Sequence, residues 1–403
     1  MIRRRLRPAA PFVVLALLGG VAACGSDGDA DADAPSTTDA PPPGDDQPGD
    51  DRPHGAAYEG DGPHEVGTTT VALDDGRRVV VWYPAAESAA DQPTLTFDIA
   101  SLLSPELQDE IPAELRPEYA VDAHPGADPA DDGPFPVVLF SHGFAGFPEQ
   151  SVDLTTHLAE WGFVVVAPDH VERSLSGLLG TAAEGVAERE DPEVLSASLD
   201  AAIDDAEDPE SPLTELLDTE SVAVAGHSAG ASAAYLTASS DDRVDAFIAY
   251  SLGTGGRGDE EPPDRPVPDV PGMVMLGDAD ETIPAATTVE AYDAIAEPKY
   301  LVEIADAGHL VFSDICLIGR EEGGLVGLVE AAGIDIPDNL LRLANDGCTD
   351  DALDPTEAFG AVNHLSVAFL RFHLGIDDEP VGLDPTVTEA FATAEVTLTV
   401  DAG

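Results

Sequence analysis

The chain has 403 residues, 43% of them hydrophobic, enough for one large or two ordinary domains with a sizeable core. Its 79 acidic residues face only 17 basic ones, with Lys299 the single lysine, so the formal charge is −62. Like-charge repulsion excludes nucleic acid as a natural partner, and the acidity suits a strongly hydrated surface in high salt, with compositional drift as the alternative.

The N-terminus reads as an address. "MIRRRLR" is a basic segment, "PFVVLALLGG" a short apolar one, and "VAAC" places small residues before Cys24. This is the pattern of a bacterial export signal over residues 1–23. It resembles a lipoprotein signal, in which Cys24 carries the lipid; an ordinary A-x-A cleavage site would need no cysteine. The apolar run is shorter than the ~20 residues that span a bilayer, so the membrane is reached only through a lipid at Cys24. Residues 24–61, rich in Asp, Pro and Gly, have too little apolar surface to fold and read as an acidic linker. Loss of the signal removes four arginines and takes the formal charge from −62 to −66. The chain is then expected on the outer face of the cytoplasmic membrane, or secreted.

From about Gly62 the pattern becomes periodic. "VGTTTVAL" and "RRVVVWYPA" predict two strands joined at "DDG". Apolar strands then alternate with helices: "FPVVLFSHG", a helix near "SVDLTTHLAEWG", "FVVVAPDH", a helix in "EVLSASLDAAIDDA", "SVAVAGHSAG" and its helix. There follow "RVDAFIAYS", "PGMVMLGDAD", a helix in "AATTVEAYDAIA", "KYLVEIADAGH", and a last helix in "AFGAVNHLSVAFLRFHLG". Continuous apolar strands separated by helices predict an α/β fold, a mainly parallel sheet covered on both faces. The domain is expected over residues 62–376, with a helical cap insertion at about 310–350 and a C-terminal extension over 377–403. Ligands of such sheets bind at the carboxyl ends of the strands.

Three strand ends carry chemistry. In "GHSAG" a strand turns at once into a helix, so Ser228 sits at a strained corner that Gly226 and Gly230 make possible. A chain with 38 glycines meets G-x-S-x-G by accident, so context must decide. The strand "GMVML" ends in "GDADETIP" with Asp280, and the next ends in "ADAGHLVF" with His309. A serine hydroxyl needs a base to take its proton, which His309 supplies, and the imidazole needs an acid, Asp280, to fix its tautomer. Asp278 is the alternative acid if the turn is one register off. An oxyanion needs two backbone donors; Ala229, after the nucleophile, and Phe144, in "LFSHGFAGF", stand where they are required. His142 can pack beneath that turn. Asp169 and His170, in "APDHVERS", read as pocket rim or loop hydrogen bonds, and His364 as a packed helix residue.

Cys316 and Cys348 form an even pair in an exported chain and predict a disulfide that closes the insertion, two free thiols being the alternative. No metal-ligand spacing occurs and no cofactor is implied. The insertion and "FDIASLLSPELQDEIPAELRPEY" are candidates for binding the acyl or alcohol part of a substrate.

Through "GPHEVGTTTVALDDGRRVVVWYPA", "VVLFSHGF", "LAEWGFVVVAPDH", "GHSAG", "GDADETIP" and "AGHLVF", residues 62–375 resemble serine α/β-hydrolases. The likeness is to secreted platelet-activating-factor acetylhydrolase-like esterases, dienelactone-hydrolase-like proteins and bacterial polyester hydrolases. The resemblance implies ester hydrolysis of a small-molecule or lipid substrate, with the acid placed as in polyester hydrolases because "AYSLGTGG" has no carboxylate. Ser228 stands where dienelactone hydrolases have a cysteine. Two functional classes follow: a surface-tethered serine esterase, with lipase, lactonase and peptidase variants open, or a cell-surface binding protein on the same fold.

Overall fold

A computed structural model describes residues 55–402 apart from 103–107, 109–115, 117, 181, 183–184, 255–264, 321–323, 325 and 328–337. The expected signal, Cys24 and nearly all of the expected linker lie outside the described residues.

Twelve strands are described. They are β1 (Glu65–Ala72), β2 (Arg78–Ala85), β3 (Leu95–Asp98), β4 (Glu118–Val121), β5 (His124–Pro125) and β6 (Phe135–Ser141), followed by β7 (Val164–Pro168), β8 (Leu217–His227), β9 (Ala246–Tyr250), β10 (Gly272–Gly277), β11 (Lys299–Ile304) and β12 (Val396–Asp401). Ten form one sheet in the order β12-β11-β10-β9-β8-β6-β7-β2-β1-β5, while β3 and β4 pair separately. From β7 to β11 all neighbours are parallel; β2 is antiparallel to β1 and to β7, and β12 to β11.

The helices are α1 (Val152–Glu160), α2 (Leu175–Leu178), α3 (Asp191–Asp205), α4 (Ala229–Ala238), α5 (Ala285–Asp293), α6 (Asp338–Asn345) and α7 (Pro355–His373). Because successive strand residues point to opposite faces, each central strand feeds two cores. Val138, Phe140, Ala223 and Ala225 pack with α1 and α7 on one face; Val137, Leu139, Val222 and Val224 pack with α3, α4 and α5 on the other. Each fully buried aliphatic side chain adds about 1.5–3 kcal/mol of transfer free energy.

Two segments outside the expected 62–376 domain pack on it. The segment from Gly55 to Asp61, assigned to the linker, packs on the domain: Tyr58 is buried, its N–H donates to His364 Nδ1 at 3.0 Å and its hydroxyl to Asp377 at 2.5 Å. The C-terminal extension is part of the sheet, since β12 pairs with β11 from Lys299–Asp401 to Ile304–Val396. Its alternating valine, threonine and leucine suit an edge strand with one buried face. Of the expected cap, α6 and the flanking turns are described, while residues 321–323, 325 and 328–337 are not. Cys316 and Cys348 are joined in a disulfide.

Candidate active site

Ser228 occupies the corner between β8 and α4 with φ 60° and ψ −117°, a conformation a non-glycine residue adopts only when its surroundings impose it. The neighbouring glycines make that corner possible. A Cβ on Gly226 would lie 2.2 Å from the Gly230 carbonyl oxygen, and one on Gly230 would lie 1.9 Å from that of Ser141. The N–H of Ser228 donates to Tyr250 O on β9 at 2.8 Å, tying the corner to the sheet.

His309 and Asp280 converge on this corner from the ends of β11 and β10. His309 Nε2 lies 2.9 Å from Ser228 Oγ, and His309 Nδ1 lies 2.8 Å from Asp280 Oδ2. Both are buried, His309 at 1% exposure. Asp280 also accepts from the N–H groups of Thr282 (2.9 Å) and Ile283 (2.6 Å) and from the Ser251 hydroxyl (2.9 Å). Burial pushes its carboxyl up, but the hydrogen bonds and charge of His309, with the donors at Ile283 and Ser251, outweigh this and hold it below the usual carboxylate range. An anion fixed beside Nδ1–H leaves Nε2 as the acceptor that faces the serine hydroxyl. Asp278 points elsewhere, accepting from Asp306 N–H at 2.7 Å.

The turn after β6 approaches from the other side. A Cβ on Gly143 would stand 3.4 Å from Ser228 Cβ, so the Gly143–Phe144 peptide lies beside the serine. Among the described residues, neither the Phe144 nor the Ala229 N–H has an acceptor within the chain. Beneath the turn, His142 donates from Nδ1 to Gly143 O at 2.8 Å and accepts His170 N–H on Nε2 at 3.0 Å. Asp169 and His170, expected at a pocket rim or in loop hydrogen bonds, are buried and make the loop hydrogen bonds: Asp169 Oδ2 accepts from the Ser176 hydroxyl at 2.9 Å, and Ser141 Oγ lies 2.9 Å from His170 Nε2. His364 is a buried helix residue that donates to Gly382 O at 3.1 Å.

Several residues of the site had no sequence signal. Gln150 accepts the N–H of Gly143 at 3.0 Å and donates to His227 Nδ1 at 3.1 Å, and His227 donates from Nε2 to the carbonyl of His309 at 2.9 Å. That relay spans from the Gly143 turn to His309. Burial, then the neighbouring His309, push His227 down to about 3, so it stays neutral and keeps this donor pattern. Asp346 accepts from the N–H of His309, and Arg173 reaches the carbonyls of the His142–Gly143 turn. Ser251 and Asp346 became visible only through their partners.

The arrangement can activate a hydroxyl, deliver its proton to an imidazole and hold a developing oxyanion. A family model described as Chlorophyllase matches residues 126–251, a stretch that contains the Gly143–Phe144 turn and Ser228 and stops before Asp280 and His309. A protein of Methylorubrum extorquens named "Putative carboxymethylenebutenolidase" is 28% identical over 244 residues, 57% of this chain and 79% of that protein. Among solved structures, a ferulic acid esterase from Streptomyces cinnamoneus superposes with a TM-score of 0.52 at 21% identity, covering 83% of this chain and 96% of that one.

Proposed function

We propose that this chain, an α/β-hydrolase and a carboxylic ester hydrolase, cleaves its substrate through an acyl-enzyme on Ser228. Ser228 Oγ attacks the ester carbonyl carbon while its proton passes to His309 Nε2. The carbonyl electron pair moves onto oxygen, which the N–H groups of Phe144 and Ala229 hold. The tetrahedral intermediate then collapses, and His309 returns the proton to the departing alcohol. Water, deprotonated by the same imidazole, attacks the acyl-enzyme; the second tetrahedral intermediate breaks its bond to Ser228 Oγ, which takes the proton back from His309 as the acid is released. Asp280 fixes the imidazole tautomer and stabilises its protonated form. No cofactor enters any step.

The observation that carries this reading is the unbroken contact from Ser228 Oγ through His309 to Asp280, at 2.9 and 2.8 Å, on a serine with φ 60°. Substrates are small-molecule or lipid esters; the names of the similar proteins, a carboxymethylenebutenolidase and a ferulic acid esterase, support the small-molecule class. The "VAAC" sequence at the end of the export signal supports tethering through Cys24. The test is Ser228→Ala: hydrolysis of a short activated ester and labelling by a fluorophosphonate should both vanish while the circular dichroism spectrum stays unchanged. Labelling of that variant at the wild-type level would remove Ser228 from the mechanism.

A further inference from the structure

The peptide proposed to donate to the oxyanion is gripped from behind by a buried cation. The Gly143 carbonyl and the Phe144 N–H belong to one peptide group, which is trans, so they point in opposite directions. Gly143 O accepts from Arg173 Nη1 at 2.9 Å as well as from His142 Nδ1 at 2.8 Å. With its oxygen held on the buried side, the same peptide presents its N–H on the side of Ser228. Arg173 grips the rest of the turn too. Its guanidinium also donates to His142 O and, at 2.8 Å, to Ser141 Oγ, and its own carbonyl accepts Ala145 N–H at 2.7 Å. Ala145 is held at φ 56°, a strained turn that these contacts maintain.

The cation is built into the fold rather than left on its surface. Arg173 is 8% exposed, and its Nε donates to Asp191 Oδ1 and Oδ2 at 3.1 and 3.2 Å. Asp191 Oδ1 also lies 2.8 Å from His170 Nδ1. Burial keeps both His142 and His170 well below the usual histidine range, His170 down to about 3. Burial pulls the Arg173 guanidinium down from its ordinary value while Asp191 raises it, and a guanidinium keeps its proton in proteins, so Arg173 is the charged donor of this cluster. A positive charge on a peptide oxygen draws electron density through the amide, so the N–H of that peptide becomes a stronger donor, and low-dielectric surroundings amplify the effect.

We propose that Arg173 is a positioning residue that fixes and polarises the Gly143–Phe144 peptide, so that the Phe144 N–H stabilises the oxyanion formed when Ser228 attacks an ester. The proposal rests on the reading of Ser228 as nucleophile, and the experiment separates the two. In the purified chain, Arg173→Gln is compared with Arg173→Gln/Asp191→Asn, which removes both partners of the buried ion pair, and with Arg173→Lys. Each folded variant is assayed for kcat and KM, and for binding of a trifluoromethyl ketone that forms an oxyanion adduct on the serine. The double variant should keep its circular dichroism spectrum and KM, and lose kcat by about 10²-fold, the order seen when one oxyanion donor is removed. Affinity for the ketone should fall in parallel, and the adduct hydroxyl, followed by carbon NMR, should titrate at higher pH. Arg173→Lys, which keeps the charge, should fall between. A folded double variant with wild-type kcat and adduct titration would overturn the proposal, as would a loss of kcat with unchanged ketone affinity. Fluorophosphonate labelling of the unaltered protein at a residue other than Ser228 would overturn the nucleophile assignment and this proposal with it.

Discussion

Asp346 accepts the backbone N–H of His309 on Oδ1 at 3.1 Å. Its other oxygen accepts the N–H groups of Glu281 and Thr282, at 3.1 and 2.8 Å, and the Thr282 hydroxyl at 2.6 Å. One carboxylate thus ties the His309 loop to the turn after Asp280. Cys348, two residues on, is bonded to Cys316 on the far side of the His309 turn, so the disulfide anchors the segment that carries Asp346.

Asp346→Ala should lower stability by about 2–3 kcal/mol, the cost of removing a charged acceptor from buried donors, and lower kcat by 10- to 100-fold with little change in KM. Thermal melts and steady-state kinetics measure both. Cys316→Ser/Cys348→Ser should act in the same direction, because opening a loop of this length costs on the order of 3–4 kcal/mol. Wild-type kcat in Asp346→Ala would mean that the His309 loop needs no clamp.

The two aspartates of "GDAD" should separate cleanly. Asp280→Asn removes the anion beside His309 Nδ1 and should cost about 10⁴ in kcat, as loss of the correct tautomer does in other triads. Asp278→Asn, which touches Asp306 N–H rather than the imidazole, should cost less than about tenfold. Reversal of the two effects would mean that Asp278 is the acid.

Asp314 links stability to pH. It is 1% exposed, accepts from Tyr119 OH at 2.7 Å and from Asp153 N–H at 3.1 Å, and is pushed up to about 7 by burial and then by the charge of Asp153. The sign follows from proton binding. A carboxyl at about 4 unfolded and about 7 folded binds more protons when folded between those values, so its contribution falls as pH rises from 4 to 7 and is level above. Asp314→Asn should therefore flatten this part of the profile and melt a few degrees higher than wild type at pH 8. A variant with an unaltered pH profile between 4 and 7 would assign the dependence to other groups.

Salt should stabilise the domain. A formal charge of −62 over the whole chain repels itself more in the compact state than in the expanded one, and 17 basic residues can pair with only a small share of 79 acids. The screening length falls from about 10 Å at 0.1 M to about 3 Å at 1 M, so most repulsion between neighbouring carboxylates disappears only in molar salt. The melting temperature should rise from low to molar sodium chloride. A flat or falling curve would remove the inference that this surface suits high salt.

Much of the fold was legible because its causes are local. Alternating apolar runs mark β6 to β11 in order, and the two glycines around Ser228 sit where any Cβ would strike the backbone. The placement of Ser228, Asp280 and His309 after β8, β10 and β11 follows from that order. Less local matters escaped. "VTLTVD" near the C-terminus alternates like any edge strand, but only its pairing with β11 places it in the sheet. Tyr58 lies in polar sequence and is buried by partners some 300 residues away.

The sequence by itself determined which residues are chemically able to react and at which strand ends they stand, because periodicity, glycine and chain order act over a few residues. Only the tertiary structure decided which members of an acid-rich chain support them. Asp280 rather than Asp278 meets His309, Asp346 clamps that loop, and Arg173 lies behind Gly143 with Asp191 as its counter-ion. Among 79 acids, residue type carries almost no information. What distinguishes these few is a hydrogen-bond distance across segments far apart in the chain, and such a contact exists only after the sheet has brought its strand ends together.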